Sequence, residues 1–318
     1  MIENKKGIEF SFGWIFAIIV GAAIISLSIY GATSLIRENR NTEDTFAGKE
    51  LGIILSPVET SLESGRTSLI SFPVETRVYN NCKTFGNFGS QGISIATKSG
   101  VGDLWQKSGV ESTFYNKYIF SSNTIEDKNA VVFVKPLEMP YKVADLIFLW
   151  GANDKYCFVN SPQDIQKEIS DLEIKGINFT DSAQKCEKNS QKVCFCNNCG
   201  CDIEVNINAE SVKRKGQPTV YYADDRQNVL LYGAIFADPG IYECQVKRLM
   251  KRTSELALLY NSKSSSLSPK GCNSNLESEL IRYANQTAAL SSSLNLTDVE
   301  SSSRELEDRN KLLLCKLF

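Results

Sequence analysis

The alternation of apolar and polar positions divides the chain into three regimes. From Phe10 to Ile36 run 27 consecutive residues without a charge, more than the roughly 20 an α-helix needs to cross a bilayer. Trp14 and Tyr30 stand near its two ends, where amphipathic rings favour the interface. The run predicts a transmembrane helix over 8–36, after a short basic leader over 1–7. A cleaved secretory signal would have an apolar core of only about 7 to 15 residues. Residues 37–50 (RENRNTEDTFAGKE) are polar and charged, a juxtamembrane spacer; 51–64 fits a short helix or a strand.

From there to 237 the signal is β. Ser68 to Phe72 and Val74 to Tyr79 are rich in β-branched and aromatic residues, and Pro73 between them predicts an edge or bulged strand. Further strands are expected at Ile93 to Ala96, Tyr115 to Phe120, Val131 to Val134, Asp145 to Trp150, Tyr156 to Val159, Ile177 to Thr180, Lys192 to Cys196 and Val220 to Ala223. Val229 to Phe236 (VLLYGAIF), apolar on both faces, reads as a central strand. One helix, Pro162 to Leu172, follows a cap at Ser161. Strands outnumber helices, which favours antiparallel or mixed pairing.

After Asp238-Pro239 the period becomes four and three. Tyr242, Val246, Leu249, Thr253, Leu256 and Tyr260 form one stripe, with Lys247, Arg248, Lys251 and Arg252 placed off it on a solvated face. Pro269-Lys270-Gly271 breaks the helix. Capping boxes Ser274/Glu277 and Thr297/Glu300 open two more, with stripes Leu276, Leu280, Tyr283, Thr287, Leu290, Leu294 and Val299, Leu306, Leu313, Leu317. The expected fold is α+β: an N-terminal transmembrane helix, a β-rich mixed α/β ectodomain over 51–237 and a C-terminal antiparallel three-helix bundle over 238–318.

Charge is nearly balanced, 35 basic against 37 acidic residues, so no overall field argues for nucleic acid. Histidine is absent, which removes Ser-His-Asp and Cys-His nucleophilic systems and histidine-ligated zinc. No nucleotide loop, nucleophile elbow or calcium loop is present, and no cofactor is expected. Asp224 and Asp225 are the candidate carboxylates of a hydrolytic alternative, although neighbours in a strand point to opposite faces. Lys213-Arg214-Lys215-Gly216 reads as a solvated basic turn between strands.

Ten cysteines lie beyond residue 80, and sequons occur at Asn178, Asn285 and Asn295. Lys5 and Lys6 before the helix are opposed by Arg37 and Arg40 after it, so the cysteines and sequons decide orientation: N-terminus inside, the large C-terminal part extracellular. The sharpest local motif is Cys194-Phe195-Cys196-Asn197-Asn198-Cys199-Gly200-Cys201. With Asn197-Asn198 as a two-residue hairpin turn, Cys196 faces Cys199 and Cys194 faces Cys201, all four sulfurs on one side. Structural disulfides, a metal site on these four and free thiols are the three readings. Cys82, Cys157, Cys186, Cys244, Cys272 and Cys315 complete an even set whose pairing stays open; Cys272 and Cys315 can join each other or Cys244.

Lys5-Lys6-Gly7-Ile8-Glu9-Phe10 resembles the processing site of archaeal type IV pilin-like precursors, in which a basic leader ending in glycine is removed and the hydrophobic helix remains. Glu9 would then stand second in the processed chain, where the pilin pattern has its acidic residue fifth. The segments KVADLIFLW, YCFVN, CDIEVNINAESV and LLYGAIFADPGIYECQVKRLMKR resemble those of an uncharacterised family of archaeal single-pass membrane proteins. The resemblance implies cleavage after Gly7 and a place in a surface assembly.

The expectation is therefore a non-catalytic, membrane-anchored envelope or surface protein whose partners are the bilayer and other membrane or envelope proteins, including copies of itself. Gly13, Ala17 and Gly21 provide a smooth helix face for close packing. Fewer than ten residues precede the helix, leaving no room for a cytoplasmic output domain. The alternatives are an extracytoplasmic metal or thiol redox module built on Cys194, Cys196, Cys199 and Cys201, and a carboxylate-dependent extracellular enzyme.

Overall fold

A computed structural model describes residues 12–60, 66–98, 104–223 and 227–318. Gly7, Asp224 and Asp225 lie outside the described residues. The chain opens with one unbroken helix, α1 (Phe12–Thr60), of 49 residues, about 74 Å long at 1.5 Å per residue. The expected spacer is thus helical, and its far end is not free: Leu51 and Leu55 are buried against a β-sheet.

That sheet contains β1 (Arg66–Lys83), β2 (Ser90–Thr97), β3 (Ser112–Phe114), β4 (Tyr118–Phe120), β5 (Thr124–Glu138) and β6 (Lys142–Gly151), in the order β3-β2-β1-β5-β6-β4. All neighbours are antiparallel except β4 and β6. The two runs around Pro73 are one strand, and the register slips between Ser71 and Thr76. Proline therefore marks a bulge in a strand paired on both sides rather than an edge.

A second sheet contains β7 (Lys155–Val159), β8 (Ile177–Thr180), β9 (Ser190–Phe195), β10 (Ile203–Asn206), β11 (Ser211–Arg214) and β12 (Thr219–Tyr221), in the order β12-β11-β10-β9-β7-β8. The pairs β10–β9, β9–β7 and β7–β8 are parallel and those of β11 with β10 and β12 are antiparallel; β7 reaches β8 through the crossover helix α2 (Gln163–Asp171). Pro162 is the N-cap of α2, which has no side-chain cap bond.

Val229–Phe236 forms a helix, α3, rather than a central strand, and all eight residues are buried. A run apolar on every side carries no period to distinguish the two. Asn228 in the left-handed region turns the chain into it. Gly233 brings α3 onto Phe120, whose ring would lie 2.8 Å from a Cβ at that position.

The long helix α4 (Pro239–Leu267) starts where expected, with proline in its first turn. Asp238 does not cap it; its carboxylate accepts from Asn123 N at 2.7 Å. Tyr242, Val246, Leu249 and Thr253 are fully buried. So is Arg248, which sequence places in solvent. Its guanidinium donates to the carbonyls of Phe88, Tyr115 and Lys117 and to Gln245 Oε1 at 2.8–3.1 Å, over the Tyr118 ring. Burial pushes Arg248 down to about 10, against the opposing pull of Tyr118. The cation satisfies carbonyls just before β2, just after β3 and just before β4, which explains why a charge lies inside.

Helices α5 (Glu277–Ala288) and α6 (Leu296–Lys311) follow. Neither capping box forms: Leu276 and Asn295 occupy the N-cap positions, Ser274 instead bonds Ser264, and Thr297 donates to Glu210. One apolar cluster runs without a break from Phe133, Phe148 and Trp150 on the first sheet, through Phe158 and Val193 on the second, to Leu249, Tyr283 and Leu306 on the C-terminal helices.

Candidate functional site: anchor helix and cystine face

Two surfaces carry chemistry that the core does not use. The first is α1. Its segment Phe12–Leu35, 24 residues, is long and apolar enough to cross a membrane and has no side of its span buried; at 1.5 Å per residue it spans about 36 Å against a hydrocarbon core of about 30 Å. Beyond it, the helix is seated on the first sheet. Thr97 Oγ1 and N donate to the Asp44 carboxylate at 2.9 and 3.3 Å, and Val110 N donates to Thr45 Oγ1 at 2.9 Å. Two glycines permit the close approach: a Cβ on Gly109 would lie 2.5 Å from Thr45 N, and one on Gly52 would overlap the Phe114 ring.

At 3.6 residues per turn, Asp44, Gly48, Leu51 and Leu55 share the seated face. The opposite face carries Gly13, Ala17, Gly21, Ser28, Leu35, Thr42, Phe46, Lys49 and Ile53. Phe46 is 61% and Ile53 57% exposed. Thr42 and Phe46 form one wall of a surface groove with Glu38, and Lys107, Ser108 and Val110 form the other. The small-residue stripe expected from sequence thus lies on the apolar segment of the same helix face that carries Phe46 and Ile53 further along. The spacing Asp44, Gly48, Leu51, Leu55 is the signal in the sequence that marks the seated segment.

The second surface is the outer face of the second sheet. Strand alternation sends Tyr156, Phe158 and Val193 to the central core and Cys157, Val159 and Cys194 to the other side. There, Cys157, Val159, Cys194 and Cys201 are buried together, with Ala183, Cys186 and Cys196 against them. Three disulfides compose this small core: Cys157–Cys186, Cys194–Cys201 and Cys196–Cys199. The remaining two are Cys82–Cys244, tying β1 to α4, and Cys272–Cys315, tying the helix break to the C-terminal tail. Every cysteine is paired, so the tetrathiolate metal reading has no free ligand in this state.

Cys194 joins Cys201 and Cys196 joins Cys199, but the chain there is not the hairpin expected from sequence. β9 and β10 run parallel, joined by residues 196–202. Asn198 and Gly200 take positive φ, 56° and 77°, which curls the segment back so that it re-enters the sheet in the same direction. Beside it the basic turn lies between β11 and β12, with Lys213 and Lys215 exposed. Arg214 points inward and donates to Ile235 O; burial lowers its pKa, against the pull of Tyr156 and Asp238.

Of the other sites picked from sequence, Asn178, Asn285 and Asn295 are all exposed, as an attached glycan requires. A buried ionic cluster escaped sequence reasoning: Lys135 pairs with Glu168, which also accepts from Tyr232 Oη at 2.7 Å. It binds α2 and α3 to β5, with Lys135 donating also to Gln227 O. Comparison with protein-family models, curated proteins and solved structures returned no match.

Proposed function

We propose that this chain is a non-catalytic, membrane-anchored surface protein that assembles with further copies of itself along α1, in the manner of a pilin-like surface subunit. The N-terminus lies inside, and the chain from about residue 37 onward lies outside. The observation that carries the reading is the continuous exposed face of α1, from Gly13, Ala17 and Gly21 in the apolar segment to Phe46 and Ile53 opposite the seated side.

Several features support it. Small residues let two membrane helices approach closely. The groove above carries both Glu38 and Lys107, so neighbouring copies can pair opposite charges. Five disulfides fit an oxidising exterior, and the basic residues Lys5 and Lys6 favour an inside N-terminus. The C-terminal helices α4, α5 and α6 are read as an up-down-up unit that braces both sheets.

The test is the mass of the full chain in detergent, by sedimentation, for the native sequence and for Ala17→Leu and Gly21→Leu. A Cβ on Gly21 meets nothing within 4 Å inside the monomer, so that variant spares the fold. The expected result is a concentration-dependent oligomer weakened roughly tenfold by either change, as about 1–2 kcal/mol of lost helix packing gives. A native chain that stays monomeric, or variants that associate equally well, would overturn the reading.

A further inference from the structure

The cystine face contains more than a structural staple. Cys196–Cys199 closes a Cys-Asn-Asn-Cys loop, with Cys199 exposed and Cys196 half-buried. Directly behind it the Cys194–Cys201 disulfide is 3% and 8% exposed at its two residues. The sulfur of Cys199 lies within 4.8 Å of the sulfurs of both Cys194 and Cys201. Lys213, Lys215 and Glu204 line a surface pocket of about 430 Å³ together with Asn198, Gly200 and Cys201. Glu204 accepts from Gly200 N at 2.6 Å, and two ammonium groups against its one carboxylate leave the pocket net positive. Neighbouring ammonium groups favour a thiolate over a thiol, and the thiolate is the species that attacks a disulfide.

We infer that Cys196–Cys199 and Cys194–Cys201 form a two-layer thiol–disulfide exchange site, in which an extracellular dithiol reduces the outer pair and the electron pair passes to the inner one. One thiolate of the dithiol attacks Cys199 Sγ, forming a mixed disulfide and releasing the Cys196 thiolate, which takes up a proton. The second thiol of the dithiol, losing its proton, attacks its own sulfur in that mixed disulfide. This releases the Cys199 thiolate and leaves the dithiol as its cyclic disulfide. Two electrons have entered the protein.

The Cys199 thiolate then attacks Cys201 Sγ, forming Cys199–Cys201 and releasing the Cys194 thiolate. Cys196, deprotonated, attacks Cys199 Sγ in turn, restoring Cys196–Cys199 and releasing the Cys201 thiolate. The outer pair is oxidised again, the inner pair holds the two electrons, and no further oxidant or reductant is consumed. Cys157–Cys186 lies in the same cluster with Cys157 buried and Cys186 half-buried; neither of its cysteines belongs to the Cys194–Cys201 segment, and it stays a structural staple. The inference is independent of assembly along α1.

The experiment treats the full chain in detergent with one equivalent of dithiothreitol under anaerobic conditions. Thiols are trapped by acid and an alkylating maleimide at intervals and mapped by peptide mass spectrometry. The expected result is label that appears first on Cys196 and Cys199 and then divides between them and Cys194 and Cys201, with Cys157 and Cys186 unlabelled. In the double variant Cys196→Ser, Cys199→Ser, reduction of the inner pair should slow roughly tenfold, because the relay thiolate is gone. A purely structural outer loop predicts the opposite, since opening it exposes Cys194–Cys201 and speeds its reduction. Label confined to the outer pair in the native chain, or an inner pair reduced as fast or faster in the variant, would overturn the inference. The native labelling decides it even where the variant does not accumulate.

Discussion

The sheet of β1 to β6 and the sheet of β7 to β12 share one helical core, but their outer faces are covered with different material. On the first, strands of up to 18 residues present Val132, Val134, Ile147 and Leu149 outward, and the seated end of α1 buries them with Leu51 and Leu55. On the second, strands of three to six residues present little apolar area outward, and three disulfides stand where a helix would lie. Mostly parallel sheets need cover on both faces. Where short strands cannot bury enough apolar surface to hold a covering helix, covalent bonds that restrict the unfolded chain supply the stability instead. The first sheet therefore answers to apolar truncation, and the outer face of the second answers to reduction.

The largest effect should come from the core the two sheets share. Phe148 is fully buried against the rings of Phe120, Phe133, Tyr232 and Phe236. Phe148→Ala should cost about 3–5 kcal/mol in denaturant unfolding of the disulfide-intact protein, with both sheets lost together. Separate transitions for the two sheets would show that the common core is weaker than described.

Next comes the staple on the second sheet. Replacing Cys157 and Cys186 by alanine opens a closure of 29 residues and should cost about 2–4 kcal/mol. Hydrogen exchange should then accelerate in β7, β8 and β9 while β1, β5 and β6 keep their protection. Equal acceleration in both sheets would erase the contrast between their outer faces.

A smaller change should affect the first sheet alone. Gly109→Val pushes a side chain into the α1 backbone at Thr45, at about 1–3 kcal/mol for overpacking. Limited proteolysis should then cut the segment between Asp44 and Thr60, while the three disulfides of the second sheet stay intact. Unchanged protection of that segment would mean that the helix is held elsewhere.

The smallest effect concerns the turn that joins the two sheets. Burial raises the Asp154 carboxyl above its usual range, and the Asp127 charge adds to the rise, against the opposing hydrogen bond from Gly151 N. A folded-state pKa above the unfolded one means that the folded protein binds the proton more tightly. The associated stability is therefore present below the unfolded value and lost as pH rises through the folded one. Asp154→Asn should remove this slope and leave the protein slightly more stable at neutral pH in thermal melts taken across the acidic range. An unchanged slope would assign it to other carboxyls.

Much of this architecture was legible where local chemistry decides it. Proline in β1 and the four-three stripe of α4 each led to the correct element. Reading failed where distant residues decide. VLLYGAIF has no period, and only its enclosure by β5, β6 and α4 makes it a helix. Arg248 sits off the apolar stripe, yet three carbonyls from two distant segments, at Phe88 and at Tyr115 and Lys117, draw it inside. The polar stretch after the apolar segment reads as a spacer because its seating depends on Thr97 and Val110, which are far along the chain. The parallel course of β9 and β10 was hidden for the same reason: it depends on strand pairing, and the cysteine spacing alone fits a hairpin equally well.

The most direct test of the central claim, an exterior domain whose second sheet is covered by cystines, is disulfide mapping of the full chain taken from its native membrane, with free thiols blocked before digestion. The account predicts no blocked cysteine and five linked pairs: Cys82–Cys244, Cys157–Cys186, Cys194–Cys201, Cys196–Cys199 and Cys272–Cys315. Blocked thiols at Cys157, Cys186, Cys194 and Cys201 in the native membrane would contradict it, because the outer face of the second sheet would then have no covalent cover and the domain no oxidising surroundings.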